Sequence, residues 1–212
     1  MEHLVYEAWF IIKPAFAHEA PFDVNAFDAV FHGLGLKSKS VEFTTDPDKE
    51  PLALIEAQLY RTFWGIPTDI IEWVENTMDR ISNRGYSVTH AKVSIHTDPA
   101  EKDLPVADNA YYETYFYTVN VSGISICNPA LTVEAIAGLH HMHLHASVQG
   151  YSGGIPCYRF VYRGTKCTKA EFFATGDTVA NLLPTHNFKV IRRIDSYVVY
   201  DSDPSIYRLW IS

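Results

Sequence analysis

The sequence predicts an α+β protein made of two βαββαβ units in tandem, each an antiparallel sheet with its helices on one face. Three observations lead there. Segments with the two-residue period of strands and segments with the 3.6-residue period of helices follow one another in the order βαββαβ, and the order then begins again. Between the two runs, residues 98–109 are acidic, hold Pro99 and Pro105 and show no periodicity. Finally, pairs of residues recur in both runs at a nearly constant offset.

Leu4 to Ile12 is rich in aromatic and β-branched residues, reads as a strand, and is ended by Lys13-Pro14. Asp23 or Asn25 can cap a short helix carrying Phe27, Val30 and Phe31, with Gly33 or Gly35 as its stop. Lys37 to Thr45 alternates and gives a second strand, and Asp46 to Pro51 a turn. Leu54 to Phe63 is a third strand. Asp69 with Glu72 three residues later has capping-box spacing, and Ile70, Ile71, Val74, Met78 and Ile81 form the apolar stripe of a helix that Gly85 ends. Tyr86 to His96 is a fourth strand, which completes the ferredoxin-like motif.

The second run opens with a strand from Tyr111 to Val121. Asn128 then caps a helix with Pro129 at its first position and Gly138 beyond its end. Met142 to Val148 is a strand, followed by a turn with Gly150, Gly153 and Gly154, and Cys157 to Arg163 is the next strand. Thr168-x-x-Glu171 opens a helix bearing Phe172, Phe173, Val179 and Leu183, closed near Pro184. Phe188 to Tyr200 is the last long strand, with a short extension from Tyr207 to Ile211. Tyr6-Glu7 recurs as Tyr112-Glu113 at an offset of 106, Gly33 as Gly138 and Asp98-Pro99 as Asp203-Pro204 at 105, and Leu59-Tyr60-Arg61 as Val161-Tyr162-Arg163 at 102. The expected organisation is a first repeat over residues 1–98, a linker over 99–110 and a second repeat over 111–212, packed as one compact unit.

Composition narrows the function. The formal net charge is −8 and lysine and arginine form no cluster, so neither a nucleic-acid footprint nor a basic membrane-surface helix is expected. No run approaches the ~20 apolar residues of a membrane span. The N-terminus lacks the basic region of a signal peptide. Three cysteines in no C-x-x-C spacing read as reduced thiols of a cytoplasmic protein. A small molecule is the expected partner, and a homodimer is compatible with the pattern.

The residues of chemical interest are histidine, tyrosine and glutamate on sheet faces turned away from the helices. His141, His143 and His145 alternate, so a strand projects them together with Ser147, while Met142, Leu144, Ala146 and Val148 face the helices. In the first unit Ala91, Val93 and Ile95 meet the helices, which leaves His90, Lys92, Ser94 and His96 on the open face beside Glu7 and Trp9. Carried across the repeat, Glu7 maps onto Glu113, and Tyr115 and Tyr117 join it. Tyr60 maps onto Tyr162, which places Tyr158, Phe160 and Tyr162 on the open face as well.

Imidazole titrates near neutrality, carboxylate is a base and phenol a weak acid, a set suited to proton transfer on a small molecule. In that reading His143 or His145 is the base, Glu113 and Tyr162 position the substrate, and His141, Tyr115, Tyr117, Tyr158 and Glu7 line the pocket. The alternatives are a non-catalytic binding or oligomerising protein whose polar faces simply pack, and a divalent-metal protein using His141, His143 and His145. The expected 4-1-3-2 strand order sets the Tyr158 strand between Glu113 and the histidines. Two strand spacings, about 10 Å, keep that carboxylate from sharing one metal with His143. No cofactor motif is evident: the chain has no Walker loop, G-x-G-x-x-G, G-x-S-x-G or H-E-x-x-H.

Gly85-Tyr86-x-Val88 with Lys92, then Tyr111-Tyr112-Glu113-x-Tyr115, resembles an uncharacterised family of duplicated ferredoxin-like proteins. His143-x-His145-x-Ser147 with Tyr158-Arg159-Phe160-Val161 is similar to that family's later segment. The resemblance covers about half the chain and implies a fold but no activity. At fold level the tandem also looks like the dimeric α+β-barrel proteins, whose members include isomerases, cyclases and monooxygenases; a fold does not fix a function. The 2H phosphoesterases share internal symmetry but need two H-x-[ST] motifs. Here His145-Ala146-Ser147 has only Ser40-Val41-Glu42 opposite it, with no histidine.

Overall fold

The computed structural model describes residues 4–15, 23–43, 54–65, 67–96, 110–121, 143–152, 155–164 and 167–203. The chain divides into two units, residues 1–95 with 199–203 and residues 96–198 with 204–212. In the first unit the elements run β1 (Leu4–Pro14), α1 (Val24–His32), β2 (Lys37–Phe43), β3 (Leu54–Gly65), α2 (Pro67–Ser82) and β4 (Tyr86–His96). Its sheet has the order β2-β3-β1-β4 with antiparallel pairing, the ferredoxin-like arrangement.

Alternation along β1 sorts its two faces. Tyr6, Ala8, Phe10 and Ile12 are almost wholly buried against the helices, where the Phe10 ring meets Trp73 of α2 edge-on at 5.9 Å. Phe27 and Phe31 of α1 pack on Tyr86 of β4 at 5.9 and 5.2 Å. Asp23 caps α1 by accepting from the backbone N–H groups of Asn25 and Ala26. After the helix, Gly35 has φ of 70°, and a Cβ there would lie 2.9 Å from Arg61 Nη1, so both backbone and space call for glycine. Helix α2 begins at Pro67, two residues before the expected cap at Asp69, because proline at the first position is already set to helical φ and has no N–H to leave unpaired. Asp69 then lies in the first turn, where its charge suits the helix dipole.

In the second unit the described elements are β5 (Tyr111–Asn120), β6 (His143–Ser152), β7 (Ile155–Gly164), α3 (Lys169–Leu182), a 3-10 turn (Leu183–His186) and β8 (Phe188–Asp201). The strand order is β8-β5-β7-β6, again antiparallel. The helix expected after Asn128 and the extension from Tyr207 lie outside the described residues. Strand β6 continues past the turn expected at Gly150, with a register shift between Val148 and Gly150; a bulge is where a strand tolerates glycine.

Helix α3 opens on the expected capping box. Glu171 N–H donates to Thr168 Oγ1 at 3.3 Å, and Thr168 N–H donates to Glu171 Oε2 at 2.8 Å. That backbone N–H first, and the Thr168 hydroxyl second, hold the Glu171 carboxyl below the usual range. Phe172 is fully buried and stacks on Tyr112 of β5 at 5.1 Å and on Tyr162 of β7 at 5.3 Å. A Cβ on Gly164 would sit 2.5 Å from Phe172 Cδ2, so glycine at the end of β7 makes room for this ring.

The last five described residues, Val199–Asp203, count with the first unit. There Ser202 N–H donates to Ala91 O at 2.9 Å, Ala91 N–H donates to Ser202 Oγ at 2.8 Å, and His90 Nε2 is 2.7 Å from Asp201 Oδ1.

Candidate functional site

The Phe172 stack fixes which side of the second sheet faces the helix. Tyr112, Thr114, Phe116 and Thr118 of β5 take that side, so Tyr111, Glu113, Tyr115 and Tyr117 take the other. Pairing then carries the second set across the sheet. Glu113 is opposite Arg163 of β7 and Ser196 of β8, Tyr115 opposite Val161 and Ile194, and Tyr117 opposite Arg159 and Arg192.

Glu113 is the centre of this face. It is fully buried, and the Arg163 guanidinium donates from Nε to its Oε2 at 3.0 Å. The Tyr115 hydroxyl donates to the other oxygen, Oε1. The Arg163 guanidinium also lies 4.8 Å from the Tyr111 ring centroid, Arg159 5.4 Å from that of Tyr115 and Arg192 6.0 Å from that of Tyr117. A comb of tyrosines on β5 therefore carries a guanidinium over each tooth. Each guanidinium is attracted electrostatically by the aromatic face it lies over. A buried carboxylate held at both oxygens fixes the Arg163 and Tyr115 side chains, and its remaining lone pairs can accept from a polar small molecule.

The expected site residues fall into four groups, the last being Tyr162 and Tyr158. Glu113, Tyr115 and Tyr117 share the face away from α3. His143 and His145 lie on β6 in backbone register with Arg163 and Val161, and their side chains, like all of His141, lie outside the described residues. Glu7 belongs to the first unit. It is half-buried in register with Thr62 and Ser94 and accepts from Trp9 Nε1 at 2.9 Å, and Trp9 stacks on Tyr60 at 5.3 Å.

Tyr162 and Tyr158 are corrections. Both face the helix side: Tyr162 stacks on Phe172, and Tyr158 meets Phe188 edge-on at 5.4 Å, as Phe160 does at 4.7 Å. The observed register differs by one residue from the expected match of Tyr60 with Tyr162. Glu7 pairs with Thr62 in the first unit and Glu113 with Arg163 in the second, so Arg163 is the counterpart of Thr62, and Tyr60 corresponds to Val161 rather than Tyr162. A slip of one residue moves a whole strand's side chains to the opposite face.

The same slip hid Arg159 and Arg163. Their signal was present in the alternation of β7. Tyr158, Phe160 and Tyr162 are the more apolar set and belong to the core, which leaves Cys157, Arg159, Val161 and Arg163 outside it.

In the first unit His90, Lys92 and Ser94 pair with Ile11, Trp9 and Glu7, so they take the expected face, and all three are buried. His90 and Asp201 form an ion-pair geometry with side chains 3 % and 1 % exposed. Nothing in the local pattern around Asp201 marks a partner 111 residues away.

Burial beside Phe172 pushes the Tyr162 phenol above its ordinary 10.0; the Thr175 side chain pulls it down and the Cys167 thiol adds a smaller push. Tyr6, Tyr86 and Tyr200 are raised by burial too. A phenol with a raised folded-state pKa contributes stability that is complete below the unfolded value and lost as pH rises through the folded one. The urea midpoint is therefore expected to hold up to about pH 10 and fall above it, more gently in Tyr162→Phe. A midpoint that falls equally in both proteins would show that Tyr162 does not resist ionisation.

No protein-family model matches the chain, and no curated protein matches it. Among solved structures it is similar to a protein provisionally described as a glycine cleavage system transcriptional repressor, at 13 % identity and a TM-score of 0.27, over 91 % of this chain and 96 % of that one. It is also similar to a protein provisionally described as a chlorite dismutase, at 11 % identity and a TM-score of 0.32, over 98 % and 99 %. At those scores neither carries an argument about this chain. Among the described residues no three His, Cys, Asp or Glu side chains are grouped to hold a metal, and no helix is long and apolar enough to cross a membrane.

Proposed function

We propose that the chain is a cytoplasmic small-molecule-binding protein built by duplication of a βαββαβ unit, with its binding surface on the face of the second sheet turned away from α3. The observation that carries this reading is Glu113, fully buried yet held at both oxygens by Arg163 and Tyr115 amid a comb of tyrosines and arginines. Glu113 positions the ligand. The histidine at 143 or 145, in register with Arg163 and Val161, supplies the titrating group if the bound molecule is also turned over. The duplication is supported by the same strand order in the two units and by Glu7 and Glu113 holding like register positions. The free thiol of Cys167 accords with a reducing compartment. A metal shared between Glu113 and the β6 histidines is disfavoured, because the cationic Arg163 stands between them in register.

The burial that marks the site also favours a second reading, in which the Glu113–Arg163 pair only organises a polar sheet face. Thermal melting of the full chain against a panel of small organic acids, amines, alcohols and nucleosides separates the two. A ligand at 100 times its Kd stabilises by about 2.7 kcal/mol, which raises Tm by several degrees in a protein of this size. The binding reading expects at least one such compound, with a smaller rise in Tyr115→Phe. A panel with no shift, or with the same shift in the variant, would leave the structural reading standing.

A further inference from the structure

We propose that the face of Trp9 on the first sheet is a binding site for a methylated ammonium ion, a site that the chain's own Lys39 fills. It lies within the first unit and does not rest on the Glu113 reading. On β2 the Ser38 hydroxyl donates to Asp28 Oδ1 of α1 at 3.0 Å, which turns Ser38 toward the helices and its neighbour Lys39 toward the other face. The β2–β3 register passes from Ser38–Leu59 to Ser40–Gln58, so Lys39 is the extra residue of a bulge. Bulges re-aim a side chain. From there Lys39 reaches past β3, two strand spacings or ~10 Å, to β1. Its ammonium lies 4.1 Å from the centroid of the Trp9 ring.

The receiving ring is held at its face and at its edge. Tyr60 of β3, paired with Trp9, stacks on it at 5.3 Å, and Glu7 Oε2 accepts from Trp9 Nε1 at 2.9 Å. One indole thus has a carboxylate at its edge and a cation on its face, and the bond to the carboxylate polarises the ring in the sense that favours the cation. Holding a long side chain there costs rotamer entropy, which the attraction of the indole face offsets. Trp9 and Tyr60 are half-buried and Lys39 is exposed, so an outside cation can exchange with the lysine. Hydration sets the ligand class. The ammonium of a lysine is a compact, strongly hydrated charge. A quaternary ammonium sheds water more easily, and aromatic faces receive it well. The Trp9 face therefore prefers a methylated ammonium to that of Lys39, and Lys39 acts as a tethered competitor that holds the apparent affinity below the intrinsic one.

Titration of the full chain with choline, and with the neutral alcohol in which a tert-butyl group replaces its trimethylammonium, tests this. The indole N–H signals are followed by NMR, each assigned by replacing its tryptophan with phenylalanine. Choline is expected to move the Trp9 signal, to leave those of Trp64 and Trp73 in place, and to bind at least about fivefold more tightly than the alcohol. K39Q, at an exposed position, is expected to tighten choline by about threefold or more, because the competitor is gone. K37Q makes the same change of charge two residues away and is expected to leave the affinity close to that of the parent. Choline no tighter than the alcohol, or a Trp9 signal indifferent to both, overturns the cation site. Affinity that is unchanged or weaker in K39Q, or that tightens equally in K37Q, overturns Lys39 as its occupant and the proposal with it.

Discussion

Replacing Glu113 by alanine is expected to lower the unfolding free energy by about 3–5 kcal/mol. The loss does not measure how much the ion pair stabilises the fold; a buried pair is worth little net against an apolar pair of the same shape. It measures what remains afterwards. The Arg163 guanidinium, 8 % exposed and donating to Glu113 at 3.0 Å, would be left buried beside a void with its carboxylate gone, and the Tyr115 hydroxyl would lose its acceptor. Equilibrium urea unfolding reads the effect, with a matching fall in Tm of roughly 10 °C. Glu113→Leu combined with Arg163→Met removes both charges and is expected to recover most of the loss. A fall below about 1 kcal/mol in Glu113→Ala would place the pair in water rather than in the interior.

Phe172→Ala is expected to cost a similar amount, about 3–5 kcal/mol, by a different route. The ring is fully buried and carries the stacks on Tyr112 and Tyr162 that join helix α3 to strands β5 and β7. Its removal forfeits the transfer free energy of a phenyl group and opens a cavity that the sheet cannot close. It also admits water to the Tyr162 phenol, so that phenol is expected to ionise closer to its ordinary pKa, visible as an earlier tyrosinate absorbance in an alkaline titration. If Tyr162 instead faced away from the helix, its titration would be indifferent to Phe172.

Much of the architecture was legible because it rests on local signals. The two-residue period gave strands β1 to β5, β7 and β8 near their observed places, and Thr168-x-x-Glu171 gave the start of α3, since a capping box is closed by residues three apart. The departures have two causes, a competing local signal and a partner strand distant in sequence. Helix α2 starts early because Pro67 outweighs Asp69 as an initiator, and β6 runs through Gly150 because its partner strand supplies hydrogen bonds on both sides of a bulge.

The site was half legible. Glu113, Tyr115 and Tyr117 follow from alternation within one strand, whereas the places of Arg159 and Arg163 depend on the register between strands, one residue away from the expected one. Strict period-two geometry makes that smallest error the most damaging one. Apolarity, which sorts Ala91, Val93 and Ile95 of β4 to the helices, sorts Tyr158, Phe160 and Tyr162 to the core in the same way. The His90–Asp201 pair was not legible at all, because it joins residues 111 positions apart with no periodic relation.

The account's central claim is that ligand meets the face of Glu113, Tyr115 and Tyr117, on the far side of the sheet from Phe172. Ring-labelled tyrosine NMR during titration with the panel compound that most raises the melting temperature tests it most directly. The account predicts that the Tyr115 and Tyr117 ring resonances move with ligand while those of Tyr112, Tyr158 and Tyr162 hold still. Movement confined to Tyr112, Tyr158 and Tyr162, or to none of the five, would contradict it.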